Sequence, residues 1–236
     1  MVWNKPKTPA QIAAGFQRRA PWVTRFTIDG QVYGGDFDVE HDVRIPQFYE
    51  TFPTVRTILE LGSLEGGQTF QLARRPGVRL TSVEARRGNL EKARFVQGLV
   101  GVSNVRFVQA DLEKRPLSAF GQFDAVFCSG VLYHLPRPWE LLDGLRAATP
   151  RVFIWTQYAD EAKVTETIAG FPGHWYQEHG PTDPLSGMSP KSFWITLASL
   201  LARLERNGFT AVKILEDNRA HPNGPSVTLA AWAGDA

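Results

Sequence analysis

The chain has 236 residues, 43% hydrophobic and 21% charged, the proportions of a globular protein with room for one α/β domain and some decoration. A net charge of +2 gives no reason to expect nucleic acid, and a single cysteine excludes a disulfide framework, so a reducing, cytoplasmic setting is expected. The N-terminus lacks an apolar signal core and no run reaches membrane-spanning length, so no membrane partner is expected.

Residues 1–56 form a first segment. Thr8-Pro9 has the form of an N-cap followed by proline at the first helical position, which predicts a helix over 10–19. Residues 23–28 and 31–33, joined by Asp29-Gly30, read as a hairpin. Residues 38–52 read as a helix that Pro46 either interrupts or starts. The segment fits a lid over a ligand mouth and fits equally a cover for a sheet edge.

From Thr57 onward strand and helix signals alternate, which predicts a mostly parallel sheet with helices on both faces. An apolar strand starting at Thr57 turns through glycines into a helix over 69–75. The next strands cover 78–83, 105–109, 123–128 and 151–156, with helices over 86–100 and 138–148 between them. A helix over 191–207, capped by Gly208, leads to a closing antiparallel pair, 210–215 with 226–232. Residues 157–190 break the rhythm with glycine, proline, histidine and aromatics. A long irregular segment of that composition reads as a substrate-facing cap.

The most informative stretch is Thr57-Ile-Leu-Glu-Leu-Gly-Ser-Leu-Glu-Gly-Gly-Gln-Thr69. A strand, a glycine turn and a helix N-terminus make a cradle in which backbone approaches a ligand closely. A dinucleotide site usually has GxGxxG here, but Leu64 stands at the middle glycine, and Glu60 at the strand tip repels a pyrophosphate and suits a cation. Glu84 ends the next strand, and Gln109-Ala-Asp-Leu112 ends the third. Ligands of parallel sheets bind outside the carboxyl ends of strands, so Glu60, Glu84 and Asp111 are expected to line one crevice.

The turn resembles motif I, (E/D)xGxGxG, of the class I S-adenosylmethionine (SAM) methyltransferases, with Glu60, Gly62 and Gly66 matching and Leu64 departing. Phe123-Asp-Ala-Val-Phe-Cys-Ser-Gly-Val-Leu-Tyr-His-Leu-Pro-Arg-Pro138 resembles the fourth-strand segment of small-molecule members and of the wobble-uridine tRNA methyltransferase-like group, where GVLYHL is frequent. The resemblance covers residues 56–157 well and the C-terminal part more loosely. It implies a Rossmann-like sheet of seven mostly parallel strands, ordered 3-2-1-4-5-7-6, with residues 1–56 as lid, 57–236 as the SAM-binding domain and 157–190 as cap insertion. It also implies that Gly62, Ser63, Leu64, Gly66 and Gly67 cradle SAM and that Glu84, beside Ala85, holds the ribose. Asp111 and Leu112 inherit the adenine contacts, while Ser129 and Gly130 pass beneath the methionyl-sulfonium group.

Methyl transfer from a sulfonium is an in-line displacement whose leaving thioether departs neutral, so the enzyme aligns the reactants, excludes water and removes the acceptor's proton. A hydroxyl acceptor wants a base such as histidine. His134 is the first candidate, with Tyr133 beside it. His174, Tyr176, Glu178 and His179 in the cap are alternatives, and Tyr158 would orient the acceptor. The strand tip lacks (D/N/S)PP(Y/F), and no Cys/His set has zinc spacing, so a metal-free reaction is expected. The favoured reading is a SAM-dependent methyltransferase acting on oxygen of a small molecule. A tRNA-modifying enzyme of the wobble-uridine type is second, as the GVLYHL resemblance allows; Arg74, Arg75, Arg79, Arg86, Arg87, Lys92 and Arg94 cluster in sequence, though a solvated helix face explains them more simply. A SAM-binding protein without catalysis is third, and the oligomeric state stays open, a homodimer included.

Overall fold

The structure is a computed structural model that describes residues 7–180 and 182–234. The first six residues of the expected lid, Pro181 of the cap and the last two residues lie outside it. Helix α1 (Pro9–Gln17) starts at Thr8, whose hydroxyl and the Gln11 side chain close a capping box. Strands β1 (Thr24–Ile28) and β2 (Gln31–Gly34) form the Asp29-Gly30 hairpin, and β3 (Phe37–Asp38) pairs parallel to β1. Pro46 lies in the first turn of α2 (Arg44–Thr51), where its missing N–H costs no bond.

The Rossmann-like part follows as β4 (Thr57–Leu61), α3 (Gly67–Ala73), β5 (Arg79–Glu84), α4 (Arg87–Val100), β6 (Val105–Gln109), β7 (Ala125–Ser129), α5 (Pro138–Ala148) and β8 (Arg151–Gln157). After it come β9 (Glu166–Ile168), β10 (Phe171–Gln177), β11 (Lys191–Ile195), α6 (Leu197–Arg206), β12 (Ala211–Asn218) and β13 (Ser226–Trp232). The main sheet has seven strands in the order β12-β13-β8-β7-β4-β5-β6. Counted from β4, with the β9–β11 sheet left aside, that is 3-2-1-4-5-7-6, parallel except at β13 and β12. The inner strands are buried on both faces and so are apolar almost throughout, as in Ala125-Val-Phe-Cys128. One core packs α5 and α6 against one face of the sheet; the other packs Phe48 of α2 against Phe127 and Phe153, with Phe52 just past the helix against Trp232. A third cluster joins α1 and the β1–β2 hairpin to Phe70 and Val96.

Two expectations for the second half are corrected. The helix predicted over 191–207 is a strand and a shorter helix: Ser192-Phe-Trp-Ile-Thr196 is aromatic and β-branched, and it pairs antiparallel with β10. Thr196 then accepts from the Ser199 N–H and caps α6 anew. The cap is not irregular either, because β9, β10 and β11 form their own antiparallel sheet beside the main one.

Candidate active site

The turn after β4 is built from unusual backbone. Gly62 has φ +75°, and a Cβ on it would stand 2.4 Å from Val131 Cγ2, so only glycine lets the turn close against the loop after β7. Leu64, at the motif's middle position, holds φ +50°, a conformation costing a non-glycine residue about 1 kcal/mol. Its N–H donates to Glu84 Oε2 at 2.9 Å, and the Arg86 N–H donates to Oε1 at 2.7 Å. Burial raises the Glu84 pKa, and those N–H groups offset part of the rise. Asp111 ends the β6 loop, accepting the Glu113 N–H and pairing with the exposed Lys114 at 2.8 Å.

Glu84 and Asp111 line one cavity of about 710 Å³, together with Gly62, Ser63, Leu64, Gly67, Ala85 and Leu112. Its floor continues through Ser129, Gly130, Tyr133 and His134 after β7. Glu60 is placed differently from the expectation. It sits inside β4, one residue before the end, so α3 and β5 cover it: Thr69 Oγ1 and Ser82 Oγ donate to Oε2 at 2.6 and 2.7 Å. It is 1% exposed and lies behind the cavity wall, with Oε1 unpartnered. Burial pushes its pKa up to about 7 against the pull of the two hydroxyls, and the Glu84 charge adds to the rise. Gly66 also lies behind the wall.

His134 is held from the cap. Its Nδ1 lies 3.0 Å from Glu178 Oε1. Glu178, 5% exposed, also accepts from Ser186 Oγ, Ser192 Oγ and the Gly187 N–H at 2.7, 2.7 and 2.6 Å. Burial works to raise the Glu178 pKa, but these bonds outweigh it and hold it at about 2. An ionised carboxylate only accepts, so the Nδ1 of His134 carries the proton and the neutral ring keeps its lone pair on Nε2. Gly187 is required here, since a Cβ would stand 2.5 Å from the His134 carbonyl oxygen. The Tyr133 ring lies 4.1 Å from that of His134 and edge-on to Trp155 at 5.7 Å, and burial raises its phenol pKa.

A profile of the methyltransferase domain family matches residues 59–149. No curated protein sequence matches the chain significantly. The structure of the N-terminal domain of EvdMO1 with S-adenosylhomocysteine (SAH) bound is 33% identical, with TM-score 0.88 over 97% of this chain and 98% of that one. The chain belongs to the class I SAM-dependent methyltransferases. The same EvdMO1 domain in the presence of SAH and D-fucose aligns at 32% identity and TM-score 0.88, over 98% of this chain and all (100%) of that one. Against the structure of EvdMO1 itself, 32% identical with TM-score 0.77, the match covers 95% of this chain but 48% of the other. The methyltransferase thus spans about half the length of that relative.

Several residues of the methyltransferase's cavity carry no sequence signal. Arg44 makes a two-pronged ion pair with Asp42 at 2.7 Å, donates to Ser129 Oγ at 2.9 Å and lies over the Trp155 ring. Gln68 Nε2 reaches Asp42 at 2.7 Å. Glu65 is fully buried and takes the Val23 and Thr24 N–H groups and Lys92, pinning β1 to the glycine turn. Residues 23–24 and 37–44 line the cavity, so the first segment stands at its mouth while its hairpin also packs against α3 and α4. Asp42, Arg44 and Glu65 were invisible because each works through a partner far along the chain, and Glu178, named only as an alternative in the cap, is joined to His134 by the tertiary fold alone.

Three of the catalytic candidates stand away from the cavity. Tyr158 is in the core and donates to Asp217 at 2.6 Å, its pKa pushed up to about 12 by burial and then by that bond. His174 lies on β10 against the Trp194 ring, its pKa lowered by burial and by Lys163. His179 is exposed, and its backbone N–H donates to Ser186 Oγ. The cap folds as a sheet, so only its 184–188 loop reaches the cavity. Among the described residues no three His, Cys, Asp or Glu side chains group as metal ligands, and no helix is long and apolar enough to cross a membrane.

Proposed function

We propose that this methyltransferase methylates a hydroxyl oxygen of a small molecule, with His134 as the base and Glu178 as its positioning residue. The observation that carries the reading is the hydrogen bond between His134 and Glu178 in the cavity wall: the carboxylate accepts from Nδ1–H, and Nε2 is left to take the proton of an acceptor hydroxyl. EvdMO1 has been crystallised with SAH and D-fucose, which favours a sugar hydroxyl. Four of the seven basic residues are engaged within the protein, which favours a small acceptor over RNA: Arg75 bonds Pro53, Arg86 bonds cap carbonyls, Arg87 pairs with Glu91 and Lys92 with Glu65.

The cavity suits SAM. Glu84 retains acceptor capacity for the ribose hydroxyls beside Ala85, while Asp111 and the Leu112 N–H suit the adenine edge. Gly62, Ser63, Leu64 and Gly67, with Ser129 and Gly130 opposite, suit the methionyl part. Glu60, with an orphaned oxygen behind the turn, supplies negative charge beneath a cation. When bound, SAM supplies an electrophilic methyl group. Tyr133 walls the site against water, His134 removes the acceptor proton, and Asp42 and Arg44 hold the 1–56 segment as a lid opposite the cap of 157–190.

Deuteromethyl SAM with a panel of sugars and phenols, read by mass spectrometry and NMR, tests this. The label is expected as a methyl ether. His134→Ala is expected to cut kcat about 100-fold or more with SAH affinity unchanged. Glu178→Gln is expected to lower kcat and to move the acid limb of its pH profile. Label on nitrogen or carbon, or a His134→Ala enzyme at the parental rate, would overturn the proposal.

A further inference from the structure

We infer that the end of the cavity beyond Trp155 is a binding site for an uncharged sugar ring, laid out on one face of the main sheet. The inference rests on the reading that the acceptor atom is a hydroxyl. Pairing register builds the site. Trp155 of β8 faces Thr228 of β13, which faces Glu216 of β12; one step along, Gln157 faces Ser226, which faces Asn218. Residues two apart in a strand share a face, so the six form two rows on one side of the sheet. All but Gln157 line the cavity.

The rows are polar where a sheet this central is normally apolar. Thr228 is 1% exposed and Ser226 3%, yet neither hydroxyl has a hydrogen-bond partner among the described residues. Their strand neighbours Val227 and Leu229 are buried apolar residues on the other face. Neither hydroxyl oxygen is closed off from the cavity, so a ligand that bonds both takes the place of water there.

His221 completes the set, and its tautomer is the opposite of that of His134. The backbone N–H of Asn223 donates to His221 Nδ1 at 3.3 Å, and a backbone N–H can only donate. Neutral His221 therefore carries its proton on Nε2 and offers the cavity a donor, while Glu216 and Asn218 offer acceptors. The sugar hydroxyl needs both.

Charge sets the class. Glu216 has no cationic partner among the described residues, and two guanidiniums of the adjoining segments are taken: Arg44 by Asp42 and Arg219 by Asp217. A phosphate there meets a carboxylate and no free cation, so a neutral glycoside is selected over a sugar phosphate.

The test uses the full chain saturated with SAH. Saturation-transfer NMR is run with methyl β-D-galactopyranoside, galactose 1-phosphate and catechol. Contacts to the glycoside ring protons are expected, with the phosphate bound at least tenfold more weakly. Thr228→Val and Asn218→Ala are expected to weaken the glycoside about tenfold each, with the SAH dissociation constant unchanged. The same two variants are also tested in turnover, where a rise in KM at constant kcat is expected. Equal binding of phosphate and glycoside, preference for catechol, or unchanged glycoside affinity in both variants would overturn the inference. Glycoside binding that survives while the methyl group lands on nitrogen would uphold this site and sink the hydroxyl reading instead.

Discussion

The two ends of the cavity are made in different ways. At the end proposed for adenosine, Glu84 and Asp111 stand at the tips of successive parallel strands, each held by N–H groups two residues away or from the adjoining turn. At the acceptor end, Trp155, Thr228 and Glu216 come together only through strand register, and His134 meets Glu178 across 44 positions of chain. The first kind of site is carried by a short motif and tolerates change elsewhere. The second depends on the cap and lid staying docked, which lets one fold keep its cofactor while its acceptor varies.

The comparison is broken most directly at the adenosine end. Glu84→Ala removes charged hydrogen bonds worth about 1.5–3 kcal/mol each, so SAH affinity measured by calorimetry is expected to fall by about 100-fold or more. A loss under tenfold would mean that the strand tips are not where the ribose binds.

Glu60, behind that end, sets a pH dependence of stability. In the unfolded chain it ionises near 4.5, and in the folded, unliganded chain at about 7. The folded state thus holds the extra proton between those values. Its contribution is complete below about 4.5, declines as pH rises and is gone above about 7, a loss of about 3 kcal/mol. Denaturant titrations of the parent and Glu60→Gln across that range are expected to diverge by this amount; parallel curves would show that Glu60 is ionised throughout.

The lid side is sharpened by Asp42→Ala. It strands Arg44, a mostly buried guanidinium, and is expected to cost about 2 kcal/mol, read as a lower melting temperature with little change in SAH affinity. The smallest effect is expected at Leu64→Gly. Relief of the left-handed backbone, about 1 kcal/mol, is offset by the entropy that glycine gains in the unfolded chain, leaving stability within about 0.5 kcal/mol of the parent. A loss beyond 2 kcal/mol would assign the Leu64 side chain a packing role at the turn, about the size of burying one leucine.

Legibility followed the same division. The glycine turn and the carboxylates at the ends of β5 and β6 could be read from the chain, because a strand–turn–helix unit has its apolar run, its turn residues and its capping groups within about 30 residues, whereas strand order came from the family resemblance. The helix expected over 191–207 failed at its first five residues, where pairing with β10 overrode a helical reading of an apolar stretch.

By itself, then, the sequence determined that parallel strand tips would carry carboxylates beside a glycine turn and that His134 would follow β7 into the cleft. Only the tertiary structure decided that Glu60 lies behind the wall, that Glu178 fixes the His134 ring, and that Thr228, Ser226 and Glu216 share a face. The reason is physical: local hydrogen bonds are encoded by neighbours in the chain, whereas register between β8, β13 and β12, and the docking of cap on sheet, are settled by burial summed over the whole molecule.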